Sequence, residues 1–244
     1  MTSVAIIGAG PGIGASVARR FAREGYPVGL IARSPQTIEA TRATLPGGAR
    51  SAAAVADAAD EIALRAALDA VAAELGPIGV LVYNAGLIQQ DVPGELTTRE
   101  HQHAWAVNVV GAITAAAHAG PRMAEAGRGT ILLTGGMPEP VPDVVSLSLG
   151  KAGVRALTTL LATQYAPSGV HVATVTVGGA VAPLGPLDPD EIAEHYWRLH
   201  AQPPDAWERE VLFSGDLRTP STDPGPERRA SSRAAVRTGA RSSP

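Results

Sequence analysis

Residues 3–14 read Ser3-Val4-Ala5-Ile6-Ile7-Gly8-Ala9-Gly10-Pro11-Gly12-Ile13-Gly14. A short apolar run ending in glycines is the pattern of a buried parallel strand. The next stretch, 12–24, is helical by pattern: Val17, Ala18 and Phe21 share one face, Arg19, Arg20 and Arg23 the other, and Gly25 stops it. A glycine-rich turn between strand and helix serves two ends. It lets the chain turn tightly, and it lets a pyrophosphate approach backbone N–H groups at the positive end of the helix dipole.

Working outward, the same alternation continues. Further strands are predicted at 27–32, 51–55, 78–83, 129–134, 169–176 and 210–213, with helices at 35–44, 58–75, 97–126, 144–166 and 189–202. Strand and helix alternating at this spacing build βαβ units. Right-handed crossovers then give an α/β, Rossmann-type, doubly wound parallel sheet in a single domain over 1–215. Beyond Asp216 the chain turns to Arg, Ser, Pro, Ala and Thr, with no aromatic residue. Such a segment buries too little to offset its ordering entropy, so 216–244 is expected to be a disordered tail.

Composition narrows the function classes. The 244 residues include no Cys, which leaves no disulfide framework, thiolate metal site or cysteine nucleophile. His101, His103, His118 and His171 stand at no metal-ligand spacing. No apolar run reaches the roughly 18 residues of a membrane span, and no signal-peptide pattern opens the chain, so a soluble cytoplasmic protein is expected. The net charge of −3 gives no drive toward nucleic acid, and the only basic excess, +3, lies in 216–244. Of 20 basic residues 19 are Arg; the one lysine is Lys151. In so Arg-rich a background a solitary lysine points to a task that a guanidinium cannot perform.

Taken together, the glycines at 8, 12 and 14, Asp57 after strand three, Tyr83-Asn84-Ala85-Gly86 after strand four, Asn108 in Val107-Asn108-Val109-Val110-Gly111, and Lys151 come in an ordered series. That series resembles the short-chain dehydrogenase/reductase family over most of 3–215. The resemblance implies a bound dinucleotide held by Gly8, Gly12, Ile13, Gly14, Asp57, Asn84, Gly86, Lys151 and the backbone at Val181. It also implies a catalytic water at Asn108, and a homodimer or homotetramer built on the long helices 97–126 and 144–166. Their runs of alanine suit close helix contact, but equally suit burial within one subunit.

The end of strand two, Leu30-Ile31-Ala32-Arg33-Ser34, speaks to the cofactor. An acid at Ala32 would bind the ribose 2′-hydroxyl of NAD. Arg33 with Ser34 suits a 2′-phosphate instead, so NADP (NADPH) is expected over NAD.

The likeness breaks in the substrate half. The family places a tyrosine, its general acid, four residues before the lysine; here that position is Leu147. The serine that orients the substrate carbonyl is also missing. Counting thirteen back from Leu147 gives Thr134 as its substitute, while counting along the strand gives Gly135 or Gly136. Ser148 and Ser146 near Lys151, and His195 and Tyr196 on the last helix, are further candidates for the lost proton donor, although packing explains the last two as well. Three functions fit: an NADP-dependent carbonyl/alcohol oxidoreductase using Lys151, Asn108 and Thr134; an NADP(H) sensor or scaffold without turnover; and an isomerase, dehydratase or cyclase on the same fold. Prolines and apolar residues in 87–96, 137–146 and 180–200 suggest a hydrophobic small-molecule substrate, with neither nucleic acid nor membrane as partner.

Overall fold

The runs Ser3–Ile7 (β1) and Val28–Ala32 (β2) lie side by side in parallel, Val4 opposite Val28 and Ile7 opposite Ile31. Both are almost wholly buried, as strands covered on both faces must be. The computed structural model describes residues 2–215. The predicted tail at 216–244 lies outside the described residues. Strands β3 (Ser51–Val55), β4 (Ile78–Tyr83), β5 (Gly129–Gly136), β6 (Val170–Val177) and β7 (Glu210–Phe213) complete one sheet, in the order β3-β2-β1-β4-β5-β6-β7. Every pairing is parallel. The strand order reverses between β1 and β4, and the crevice above their carboxyl ends is where such sheets take ligands.

Helices α1 (Ile13–Arg23), α2 (Pro35–Arg42), α3 (Glu61–Leu75), α4 (Thr98–Trp105), α5 (Gly111–Glu125), α6 (Val145–Tyr165) and α7 (Pro189–His200) cover the sheet. One core lies under α3, α5 and α6, with Leu64, Leu68, Met123 and Val154 packed on Ile7, Leu81 and Ile131. The other lies under α1, α2 and α7, where Phe21, Ile38, Ile192 and Tyr196 pack on Ile6, Leu30 and Leu132. Charge pairs Arg19–Asp190 and Arg20–Glu194 run from α1 to α7 along the outside of this layer.

The sequence predicts one helix over 97–126; the structure breaks it. Thr97 and Glu100 form a reciprocal cap that starts α4. Residues Ala106–Val110 then form a π-helical turn, in which the Gly111 N–H reaches back to the Ala106 carbonyl. The extra residue shifts the apolar spacing by one position, a slip that does not stand out in a stretch as rich in Ala and Val as 104–119. Among the described residues no helix is long and apolar enough to cross a membrane.

Candidate active site

The turn after β1 is built from glycines for reasons the geometry makes plain. Gly8 and Gly12 have φ of 84° and 89°, where a side chain is strained. A Cβ on Gly8 would stand 2.5 Å from the Ala85 nitrogen, and one on Gly14 would stand 2.3 Å from the Gly8 carbonyl oxygen. Gly12 faces open space instead. It heads α1 with no side-chain cap, so no side chain occupies the helix end. Ile13 is the first residue of α1 and packs on the core beneath. An uncapped helix end beside a side-chain-free turn is what a pyrophosphate requires.

Beside this turn a cleft of about 310 Å³ runs over the ends of β1, β2 and β4. Gly8, Gly10, Arg33, Ser34, Asp57 and Gly86 are among its walls. Ser34 also caps α2, its hydroxyl accepting from the Thr37 N–H at 3.3 Å and donating to Gln36 at 2.8 Å. Asp57 accepts from the Ala59 N–H at 2.9 Å. The Asn84 amide donates to the Gly8 carbonyl at 2.9 Å, and so holds the glycine turn against the end of β4. Val181 lies apart from these residues, in the exposed segment between β6 and α7.

Gly86 leads to the inner end of the cleft. A Cβ built on it would lie 3.6 Å from Asn108 Oδ1 and 3.9 Å from Lys151 Nζ. Asn108 sits in the π-helical turn and clasps the backbone of Leu87. Its Oδ1 accepts the Leu87 N–H at 2.7 Å, and its Nδ2 donates to the Leu87 carbonyl at 3.3 Å. Lys151, on α6, donates to the Thr134 carbonyl at 2.7 Å. Burial alone brings the lysine down to about 8 from its ordinary 10.5. Gly86, Asn108 and Lys151 are thus brought together as expected.

Thr134 is not where its predicted role needs it. Its hydroxyl points to the α7 side of the sheet, 2.6 Å from the Tyr196 hydroxyl, and donates to Asn84 Oδ1 at 2.9 Å. Only its backbone carbonyl meets Lys151. Side chains alternate along a strand, and Thr134 shares the face of Leu132, which packs in the α1–α7 core. The position beside the lysine belongs to Gly136, where a Cβ would stand 3.6 Å from Lys151 Cε. A Cβ on Gly135 would collide with Thr174 and Thr176.

The other hydroxyls have local duties. Ser146 donates to Asp91 Oδ1 at 2.9 Å while its N–H meets Oδ2 at 2.9 Å. Ser148 receives the Val141 N–H at 3.0 Å and donates to the Val141 carbonyl at 3.2 Å. Tyr83 donates to the Val107 carbonyl, and burial raises its phenol. Tyr196 is fully buried, and desolvation raises it likewise. His195 lays its ring against Phe213 on the α7 side. Leu147 is buried, one turn before Lys151 on the same stripe of α6.

Two residues shape the site in ways that the sequence did not show. Asp91, almost fully buried, caps α6 from the loop after β4, where Val144 offers no side-chain cap of its own. Tyr196, read from the sequence as a packing residue or a candidate proton donor, ties α7 through Thr134 and Asn84 to the glycine turn. Both bonds join residues more than 50 positions apart, so no local pattern announces them.

A larger hollow, about 730 Å³, opens at the opposite end of the sheet near Tyr26, His171 and His200. Its histidines are already partnered. His200 bridges the Tyr26 and Thr130 hydroxyls at 2.8 and 2.9 Å, and His171 meets the Leu199 and Glu208 carbonyls. The glycine turn lines the smaller cleft, as does Gly86, whose near neighbours include Asn108 and Lys151.

Comparison with known proteins agrees with this geometry. The family described as short chain dehydrogenase matches residues 2–186. The D-threitol dehydrogenase of Mycolicibacterium smegmatis is 33% identical over 184 residues, covering 74% of this chain and 70% of its own. The cis-4-hydroxycyclohexanecarboxylate dehydrogenase of Sinomonas cyclohexanicum is 34% identical over 182 residues, covering 73% of each. A metagenomic short-chain oxidoreductase solved in complex with NADP superposes with a TM-score of 0.79 at 29% identity, over 86% of this chain and 96% of that one. With the uncapped glycine turn, the reversal between β1 and β4 and the buried lysine behind them, the chain belongs to the short-chain dehydrogenase/reductase family.

Proposed function

We propose that the protein is an NADP-dependent oxidoreductase that moves a hydride between the nicotinamide and a carbonyl or alcohol carbon of a hydrophobic small molecule. One observation carries the reading: the cleft beside the glycine turn reaches Gly86, and a Cβ on Gly86 would stand 3.6 Å from Asn108 Oδ1 and 3.9 Å from Lys151 Nζ. The residues present fit the cofactor. Gly8, Gly12, Ile13 and Gly14 would hold its pyrophosphate, Asp57 its adenine end, and Lys151 its nicotinamide ribose, with Gly86 leaving room beside it and the Val181 backbone meeting the nicotinamide amide. When bound, NADP supplies or accepts the hydride.

Arg33 and Ser34 line the cleft where a 2′-phosphate would lie, and Ala32 offers no carboxylate to a free ribose hydroxyl. A charged fork on a phosphate favours NADP over NAD. Several relatives act, by name, on polyols or hydroxy acids. Leu147 and the apolar residues of the surrounding loops favour a less polar substrate here. Assembly into a homodimer or homotetramer through α5 and α6 belongs to the same proposal.

Leu147 and Gly136 support a second reading, an NADP(H) sensor without turnover. Fluorescence titration with NADPH and NADH, then a panel of carbonyl compounds followed at the NADPH absorbance, separates the two. NADPH consumption selects the oxidoreductase; tight binding with no consumption selects the sensor. A protein that binds neither nucleotide refutes both.

A further inference from the structure

We propose that Lys151 is itself the proton donor to the substrate carbonyl, replacing a hydroxyl acid outright. The inference rests on the oxidoreductase reading above, and it comes from accounting for each donor near the inner cleft. Ser146 is engaged with Asp91, Ser148 with Val141, and Thr134 with Asn84 and Tyr196 on the far side of the sheet. Tyr83 gives its proton to Val107, and the Asn108 amide is closed on Leu87. Among the described residues Lys151 Nζ remains under-used. An ammonium has three N–H bonds, and of these one goes to the Thr134 carbonyl.

Gly136 and Gly86 place no side chain against the end of Lys151; each would need a Cβ 3.6–3.9 Å away to do so. Leu147, one turn earlier, adds an apolar wall. A carbonyl oxygen entering between the two glycines meets an ammonium in a poorly hydrated pocket, where a charged donor acts most strongly.

The groups that surround the lysine leave it free to give up a proton. On α6 itself Arg155 is turned to the Gly136 and Met137 carbonyls. Strand β5 carries no ionisable side chain, and β6 carries His171 at its opposite end. The Asp91 carboxylate is tied to the start of α6. Helix α4 bears Arg99, Glu100, His101 and His103, with Glu100 turned back to cap Thr97. Helix α5 bears His118, Arg122 and Glu125 in its second half; the first two pair with Asp69. Among the described residues no carboxylate pairs with Lys151, and burial acts on it unopposed. A lysine brought to about 8 is protonated at neutral pH and still able to release the proton.

The step balances as follows. The substrate carbonyl carbon accepts the hydride from reduced nicotinamide, and the C=O π pair moves to oxygen. That oxygen takes a proton from Lys151 Nζ, giving the alcohol, oxidised nicotinamide and a neutral amine. Water entering the cleft returns the proton to the amine.

The solitary lysine makes the test direct. Protein grown with ¹³Cε/¹⁵Nζ-lysine gives one side-chain resonance, which is titrated by NMR with and without NADP. The expected midpoint lies near 8; a midpoint at about 10.4, the value of a free lysine, overturns the proposal. Lys151→Arg then keeps the charge while holding its proton at every accessible pH. It is expected to keep the fold by circular dichroism and, at saturating NADPH, to lose about 10²–10⁴ in turnover. Parent-level turnover by Lys151→Arg removes the donor role and leaves the oxidoreductase standing. Failure of the parent protein to bind NADPH refutes the oxidoreductase itself, and this proposal with it.

Discussion

The Tyr196 hydroxyl lies 2.6 Å from the Thr134 hydroxyl, both buried on the α7 side of the sheet. Thr134 donates to Asn84, and Asn84 donates in turn to the Gly8 carbonyl. One chain of polar contacts therefore runs from α7 through β5 and the end of β4 to the turn that would carry the cofactor phosphates. Since Thr134 has already given its proton to Asn84, Tyr196 is the donor in the first link.

Removing the outer link tests the chain. Tyr196→Phe is expected to cost about 1 kcal/mol, since one buried hydrogen bond is lost. Thr134→Val is expected to cost more, about 1–3 kcal/mol, because Tyr196 and Asn84 both lose a partner. Urea unfolding reads both as midpoint shifts at constant slope. A Thr134→Val protein of parent stability but greatly reduced turnover would return Thr134 to the substrate.

Asp91 holds the start of α6 from outside the helix, with each carboxylate oxygen occupied by Ser146. Asp91→Ala leaves the Ser146 N–H without its acceptor, and a loss of about 1–3 kcal/mol is expected on denaturant unfolding. Asp91→Asn keeps one acceptor oxygen and is expected to lose less.

Nucleotide preference is expected to rest on Arg33. Arg33→Ala is predicted to weaken NADPH by about 10- to 100-fold, the range of one or two charge-assisted bonds, and to leave NADH nearly unchanged. Ala32→Asp, which adds the missing acid, is predicted to move the preference toward NADH. Fluorescence titration of both variants with both nucleotides checks the pair. Equal losses for NADPH and NADH would assign Arg33 a general structural role.

The hollow at the other end of the sheet sets an acid limit on the fold. Burial, aided by nearby His171, brings His200 down to about 4. In the unfolded chain it titrates near 6.5. Between these values the unfolded chain binds the extra proton, so stability is full above about 6.5 and falls as pH drops toward 4. The loss is expected to be about 1–2 kcal/mol, since a half-open ring is partly screened by water. His200→Gln should flatten the stability curve in that window, as followed by urea unfolding at stepped pH.

The strands were legible because burial on both faces leaves a continuous apolar run. Ser3–Ile7, Ser51–Val55, Ile78–Tyr83 and Glu210–Phe213 match their predicted bounds residue for residue. Turn geometry marked Gly8 and Gly14, the unusual composition marked Lys151, and the resemblance to a known family marked Gly86. What was not legible came from two sources. Thr134 could not be told from Gly136, since counting from the helix and counting along the strand disagree, and only the contacts in three dimensions decide: the Thr134 hydroxyl goes to Asn84 and Tyr196, and Gly136 lies beside Lys151. Asp91 and the duty of Tyr196 depend on partners 55 and 62 residues away, beyond the reach of any local pattern.

The wide turn at Ala106–Val110 has a consequence for insertions and deletions. A π-helical turn is one residue longer than the α-helical turn it replaces, so this stretch carries a residue that a regular helix would omit. Deleting Val110 would let α4 and α5 fuse into an uninterrupted rod. The fused helix would turn every later side chain by about 100° relative to the earlier ones. Either Asn108 would then leave Leu87, or Ala112, Ala115 and Ala119 would leave the sheet. This one position is thus expected to resist shortening far more than its half-exposed side chain would suggest.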